Sequence, residues 1–397
     1  VSEKIKVVMA GTGGYGAYYL EELFHKQEKG DVMITGAVDP YSRRSIQYQR
    51  MRDKGIPVFS RLEEYFERHS CDLAVISSPI HFHAAQTCEA LRNQSHVLCD
   101  KPLCALVRDA HSIIRCRDLS GRRVLVGYQW SYSQAVRELK TDILNGVWGA
   151  PLRLKTICLW PRGREYYNRN DWAGRIKTDD GDWVLDSPVH NAMAHFLHNM
   201  LYLTGERMDS SAAPASITGE LYRANPVENY DTAACRIRLE NKADCLFLVS
   251  HAAEKEIGPC FHFEFENGVI EYSGPEPGIT GKDRRGNVRR YGNPDAEGQF
   301  YKLTRALAAV RKDIPVICGP EAALPQVICV NGLQKAFPLI PDFPPEFISE
   351  IREEERIYVK GLGDVMSACF RDGCLPHDTG VSWSRPGKTG MLARELS

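Results

Sequence analysis

Lys101 lies in the stretch HVLCDKPLC, His96 to Cys104, where a short apolar run breaks at Asp100-Lys101-Pro102. An ammonium fixed at a strand end can polarise a hydroxyl and stabilise a developing alkoxide. Lys101 precedes proline and is therefore biased to extended backbone, which would hold its side chain in one direction. Asp186 and His190, in VLDSPVHNAM, are four residues apart, a spacing that places two side chains on one face of a helix. A histidine that titrates near neutrality can take or give a proton, and an adjacent carboxylate can orient it or favour its charged form. Together the three residue types suit removal of a hydride and a proton from a secondary alcohol. His190 would be the acid/base, Lys101 the electrostatic partner and Asp186 the orienting acid. Each also has a plain structural reading. Lys101 could be a solvated turn residue, and Asp186 a helix cap with Pro188 in the first turn.

A leaving hydride needs an acceptor, and the chain offers a place for one. Its first apolar run leads directly into Gly11-Thr12-Gly13-Gly14-Tyr15-Gly16, which fits G-x-G-x-x-G. Gly11 permits a tight turn, Gly13 lets backbone approach a pyrophosphate, and Gly16 allows close helix–strand packing. The helix that follows would offer free N–H groups to phosphates. Asp39 ends the second apolar run at a spacing suited to accepting hydrogen bonds from both ribose hydroxyls. It would repel a 2′-phosphate, so NAD is expected over NADP, although Arg43 and Arg44 follow closely. Two later strand ends belong to the same edge. One reads Ser77-Ser78-Pro79-Ile80-His81-Phe82-His83, with Ser78, Pro79 and His83 as cofactor-side candidates, and the other holds Asp100 and Lys101.

Positioning these residues requires a particular architecture. Apolar runs IKVVMAG, VMITGAVD, LAVISS, HVLCD and RVLVGYQ alternate with stretches of helical spacing, which predicts a doubly wound parallel sheet ending near Tyr128. Beyond it, the helix SQAVRELKTDILNG leads to the strand PLRLKTICLW and a polar, aromatic loop over 161–182. A long helix is predicted over 187–204. Successive strand-like runs then follow without intervening helices, and ENGVIE resembles a hairpin turn. The fold class expected is thus α/β: a dinucleotide-binding domain at 1–128, and an α+β domain at 129–397 with a large, mostly antiparallel open sheet.

The ordered motifs also resemble those of the Gfo/Idh/MocA family, from about Ile5 to the strands beyond Ala252. GTGGYG and AVDP match its cofactor half. SSPIHFHAAQTCEAL is similar to its T-P-x-x-x-H segment, CDKP to its E-K-P motif with Asp100 for glutamate, and GDWVLDSPVH to its D-x-x-x-H segment. The link VGYQWSYSQAVRELK resembles the family's entry into its second domain, but carries Gln129 and Trp130 where basic residues are usual. Pro188 stands where glycine is common, and Asn191-Ala192-Met193 where an acid is common. The resemblance implies a nicotinamide-dependent dehydrogenase acting on a sugar, cyclitol or sugar derivative, with Lys101, Asp186 and His190 as its catalytic set. Gln129 falls on the cofactor side and Trp130 on the substrate side. Some relatives of this fold are glycosidases that oxidise transiently with bound NAD, and a non-catalytic nucleotide sensor is a third reading. The resemblance further implies a homodimer or homotetramer formed through the open face of the second sheet.

In the loop, Arg162, Arg164, Tyr166, Tyr167, Trp172 and Arg175 combine aromatic faces with guanidinium forks. Such groups suit a polyhydroxylated or acidic ligand, with Arg164, Tyr166, Trp172 and Arg175 the substrate candidates. His195 and His198 follow His190 but at spacings that point elsewhere, so no metal site is expected. His251 is a weaker candidate. The formal net charge of −1 gives no electrostatic footprint for nucleic acid or an anionic membrane. The first residues enter a strand too soon for a secretory signal, and the 13 cysteines contain no C-x-x-C pair. The expectation is a cytoplasmic protein with reduced, mostly buried thiols.

Overall fold

The computed structural model describes residues 3–312 and 314–392. Contacts divide the chain into two units: residues 1–132 with 297–324, and residues 133–296 with 325–397. The division differs from a single cut after residue 128, because a distant segment returns to complete the first unit.

The first unit contains β1 (Ile5–Ala10), α1 (Tyr15–Glu28), β2 (Val32–Val38), α2 (Tyr48–Asp53), β3 (Val58–Phe59) and α3 (Leu62–Phe66). It continues through β4 (Leu73–Ile76), α4 (His83–Arg92), β5 (His96–Cys99), α5 (Val107–Ser120), β6 (Val124–Val126) and α6 (Gln129–Tyr132). The strands lie in the order β3-β2-β1-β4-β5-β6, and all pairs are parallel. Val7 to Ala10 and all of β4 are fully buried, as expected for strands covered on both faces. The predicted second helix is broken: a 3-10 turn at Ser42–Arg44 precedes the shorter α2. The order reverses between β1 and β4, so a ligand crevice is expected at their carboxyl ends.

In the second unit, α7 (Gln134–Leu144) begins where Ser133 Oγ accepts the Val136 N–H. Next come β7 (Pro151–Leu159), α8 (Arg164–Tyr167), α9 (Ala194–Leu203), β8 (Pro214–Tyr222), β9 (Thr232–Leu239) and β10 (Asp244–Ser250). The strands β11 (Ile257–Phe265), β12 (Gly268–Tyr272), β13 (Ile279–Asp283) and β14 (Val288–Gly292) follow. Phe265 pairs with Gly268 across the expected hairpin. The chain then re-enters the first unit through α10 (Tyr301–Lys312) and begins α11 (Pro320–Ala336) there. It ends in the second unit with β15 (Ile348–Ile351), β16 (Arg356–Val359), α12 (Leu362–Asp372) and β17 (Lys388–Met391). The large sheet has the order β14-β13-β12-β11-β7-β10-β9-β8-β17. It is antiparallel except between β7 and β10.

One face of that sheet is not open. Ile157, Leu159, Tyr222, Ala234, Leu246 and Leu248 pack with Phe343, Met366, Leu375 and Trp383 of the last sixty residues. The Lys155 ammonium and the Arg236 guanidinium, on the same face, donate to the carbonyls of Arg371 and Gly373. The expected open face is therefore covered over β7, β10, β9 and β8 by the chain's own tail. Its α12 places Leu362, Met366 and Cys369 at helical spacing on one buried stripe.

Candidate active site

In the first unit, the glycine turn joins β1 to α1 as its motif demands. Gly11 has φ +84°, and a Cβ there would lie 2.5 Å from the Ser77 carbonyl oxygen at the end of β4. A Cβ on Gly16 would lie 2.1 Å from the Gly11 oxygen. Gly13 differs: a Cβ would meet no protein atom within 4 Å, so packing does not demand glycine there. Gly14 precedes α1 without a side-chain cap, and the first helical turn holds no acidic residue. The helix start thus presents N–H groups unscreened by its own side chains.

Asp39 is fixed by this turn. Its Oδ2 accepts the Thr12 N–H and hydroxyl, both at 2.8 Å, and its Oδ1 accepts the Tyr41 N–H at 2.8 Å. Oδ1 keeps a free lone pair for a further hydroxyl. The residues present therefore fit a dinucleotide: Gly13 backbone toward a pyrophosphate and Asp39 toward a ribose. Arg43 and Arg44 are exposed, and Arg44 lies over the Tyr41 ring at 4.9 Å. The Tyr15 side chain turns elsewhere. Its hydroxyl donates to Gln299 at 3.1 Å, and its ring stacks on Phe300. Of Tyr15, the turn itself uses the backbone.

The two other strand ends are pinned together by His83. Its Nε2 lies 2.8 Å from the Ser78 carbonyl oxygen and its Nδ1 2.8 Å from that of Pro102. Both partners can only accept, so the ring makes both bonds as an imidazolium. Burial pulls its pKa down, but the Cys99 sulfur and the two carbonyls outweigh it and bring the group to about 9. Both nitrogens are thus committed, and His83 braces the edge. Ser78 Oγ donates to Gln86 at 2.6 Å, while Ser78 and Pro79 are partly exposed. Lys101 is partly exposed immediately beyond β5, and the Lys101–Pro102 peptide is cis. Asp100 is buried, and its Oδ1 accepts from Lys302 at 2.8 Å and Tyr19 at 3.1 Å. Gln129 is partly exposed at the start of α6; Trp130, beside it, is buried.

The second unit holds Asp186 and His190, but not on a helix. Residues 187–193 form turns, and α9 begins only at Ala194. The His190 N–H bonds to the Ser187 carbonyl and hydroxyl, and Met193 bonds back to Pro188. These mixed spacings keep the segment from helical register, so the shared-face argument fails. Ser187, not Asp186, supplies the capping oxygen. The Asp186 carboxylate accepts from Gly174 N–H at 2.6 Å, Asn191 at 2.7 Å and Arg169 at 3.3 Å. It ties the loop to the turn; its hydrogen bonds do not run to the His190 ring. His190 is fully buried, and Gln326 Nε2, which donates to the Val189 carbonyl, sits 3.5 Å from His190 Nδ1.

The loop candidates divide. Tyr166 lies beneath Arg169 at 3.8 Å and Arg162 at 5.2 Å, with the His251 ring 5.2 Å away. Trp172 lies 5.3 Å from the Arg169 guanidinium. Arg164 is exposed, and Arg175 is paired with Asp179. Trp160 Nε1 reaches the Gly258 carbonyl, and the Trp160 carbonyl accepts from His251 Nδ1 at 2.9 Å. His198 is buried and stacked on Tyr202. Among the described residues, no group of three or more His, Cys, Asp or Glu is arranged to hold a metal ion.

Comparison with known proteins bears on this geometry. Residues 5–128 match the model described as "Oxidoreductase family, NAD-binding Rossmann fold", GFO_IDH_MocA. Over residues 5–128 the chain is thus similar to the Gfo/Idh/MocA family. An inositol 2-dehydrogenase of Rubrobacter xylanophilus is 27% identical over 152 residues, 38% of this chain and 43% of the relative. A 2,7-anhydro-N-acetylneuraminate hydratase of Mediterraneibacter gnavus is 24% identical over 36% of this chain and 37% of the relative. This chain spans about half the length of the curated relatives it matches. The fold is also that of the WlbA dehydrogenase of Bordetella pertussis, crystallised with NADH and UDP-GlcNAcA. The likeness has a TM-score of 0.67, 18% identity, and covers 83% of this chain and 95% of that one.

Several contacts of this chain escape its motifs. Arg169, Asn191 and Gln326 surround the Asp186–His190 turn, and Lys302 reaches Asp100 from 202 residues away. Lys302 had one legible signal: a charge among Leu303, Ala306 and Leu307 on the apolar stripe of a helix.

Proposed function

We propose that this protein is a nicotinamide-dependent dehydrogenase that oxidises a secondary hydroxyl of a sugar, cyclitol or sugar derivative, or reduces the corresponding ketone. The observation that carries the reading is Gly13. It is the one glycine of the G-x-G-x-x-G spacing positions whose Cβ no protein atom opposes, and it stands beside an Asp39 already oriented by Thr12. That contrast supports a ligand as the reason for glycine. The Asp39 carboxylate favours a ribose with both hydroxyls, and so NAD over NADP. When bound, the nicotinamide would accept the hydride; the protein handles the proton and the charge.

In this reading Lys101 stabilises the developing alkoxide, His190 takes the hydroxyl proton, and Asp186 holds Asn191 and the Gly174 turn around His190. Tyr166 and Trp172, overlain by Arg169, are the favoured substrate contacts, since aromatic faces suit sugar rings. Arg164, Arg175 and Trp130 are weaker assignments because they are exposed, paired and buried respectively. The relationship to inositol 2-dehydrogenases supports the substrate class. A hydratase among the relatives supports a second reading, in which bound NAD oxidises transiently and no net NADH appears. A panel of polyols, cyclitols and nucleotide sugars, scored by NADH absorbance with free NAD, tests the first. Substrate consumption without NADH favours the second; tighter NADP than NAD binding reverses the cofactor assignment.

A further inference from the structure

Lys302 is 1% exposed, and a buried ammonium without partners would be costly. Its Nζ donates to Asp100 Oδ1 at 2.8 Å and lies 3.3 Å from the Gly127 carbonyl oxygen, just beyond β6. The same cation sits 4.7 Å from the Tyr15 ring centroid and 5.1 Å from that of Tyr19. One side chain on α10 thus touches the glycine turn, the end of β5 and the end of β6. The fit is close: a Cβ on Gly127 would lie 2.5 Å from Asp100 Oδ1.

We propose that Lys302 is a positioning residue for the cofactor edge: through Asp100 it holds the turn that presents Lys101, and through Tyr15 it ties that turn to the glycine loop. The inference rests on the dehydrogenase reading above. Its chemistry is the pairing of a buried carboxylate. Asp100 is shorter than the glutamate of the E-K-P motif, and its carboxylate is bound inward by Lys302 and Tyr19. Without Lys302, Asp100 would be a buried anion beside Lys101, free to draw that ammonium away from a substrate oxygen. Lys302 belongs to the segment that returns from residue 297, so the edge is complete only when that segment docks.

The test uses the full chain with Lys302→Met, Asp100→Asn and the double variant, reading the NADH Kd by fluorescence and kcat and KM for an oxidised alcohol. Lys302→Met is expected to weaken NADH roughly 10-fold, a coupling typical of residues within one ion-pair network. It should also lower kcat by more than it changes the alcohol KM. Because one carboxylate transmits the effect, adding Asp100→Asn to Lys302→Met should bring no further loss. Multiplicative losses in the double variant, or a folded Lys302→Met with wild-type NADH affinity and kcat, overturn the inference. If Lys302→Met does not fold, the isosteric Asp100→Asn carries the test, and wild-type values in it overturn the inference equally. Wild-type protein that fails to bind NADH overturns the dehydrogenase reading itself, which separates the two failures.

Discussion

Two buried histidines, one in each unit, are shifted in opposite directions, one kept charged and one kept neutral. His83 in the first unit lies between two backbone carbonyls, and its pKa rises to about 9 although burial opposes it. His251 in the second is equally buried and has a carbonyl on Nδ1, yet burial brings it down to about 3, with Arg162 and Arg169 adding to the fall. Burial disfavours charge in both, so the partners decide. The Cys99 sulfur and two carbonyl acceptors make an imidazolium worth keeping; one acceptor and two nearby guanidiniums do not.

The largest test of that contrast is turnover. Lys101→Ala and His190→Ala should each reduce kcat by about 10² to 10⁴-fold, the range for an electrostatic partner and a proton carrier. NADH affinity should stay close to wild type in His190→Ala. Turnover preserved in either variant would remove that unit from the chemistry.

Next in size is the tail of the second unit. Trp383→Ala deletes a buried aromatic between Tyr222 and Phe343 and should cost roughly 3–5 kcal/mol in urea unfolding. The covered sheet face also predicts that it does not serve for self-association. Sedimentation of wild type and of a chain ending at residue 340 checks this: the shortened chain should associate, and the same mass for both would contradict it.

The histidines themselves predict opposite pH dependences on the order of 3–5 kcal/mol. The folded value of His83 lies above its ordinary 6.5, so its contribution is full below pH 6.5 and is lost as pH rises through 9. His251 and His198 lie below 6.5, near 3, so theirs is present above 6.5 and fades as pH falls. Unfolding of His83→Gln should lose the alkaline decline, and that of His251→Gln should lose part of the acid one. An alkaline decline unchanged in His83→Gln would break the comparison.

The smallest effect separates two glycines of one turn. Gly13→Ala should weaken NADH roughly tenfold with an unchanged melting temperature, whereas Gly16→Ala should lower the melting temperature as well. A melting temperature lowered by Gly13→Ala would mean that packing, not a ligand, needs that glycine.

The first unit was the more legible. Parallel strands buried on both faces appear as apolar runs, and Gly11 and Gly16 announce contacts that only a missing Cβ allows. The second misled where spacing stood in for structure. Asp186 and His190 have helical spacing, yet Ser187 and Pro188 open a run of turns, and the carboxylate went to Asn191 and Gly174. The fate of the tail was also hidden, because its buried stripe says that it packs but not on what.

Sequence alone determined the strand–turn–helix at Gly11 to Gly16, the acid ending β2 and a lysine ending β5, since each depends on neighbours a few residues away. Only tertiary structure decided which charges survive burial. Asp100 found Lys302 from 202 residues on, His83 found two carbonyls, and His251 found one carbonyl beside Arg162 and Arg169. A buried charge is set by the groups that reach it through space, and separation along the chain does not encode that distance.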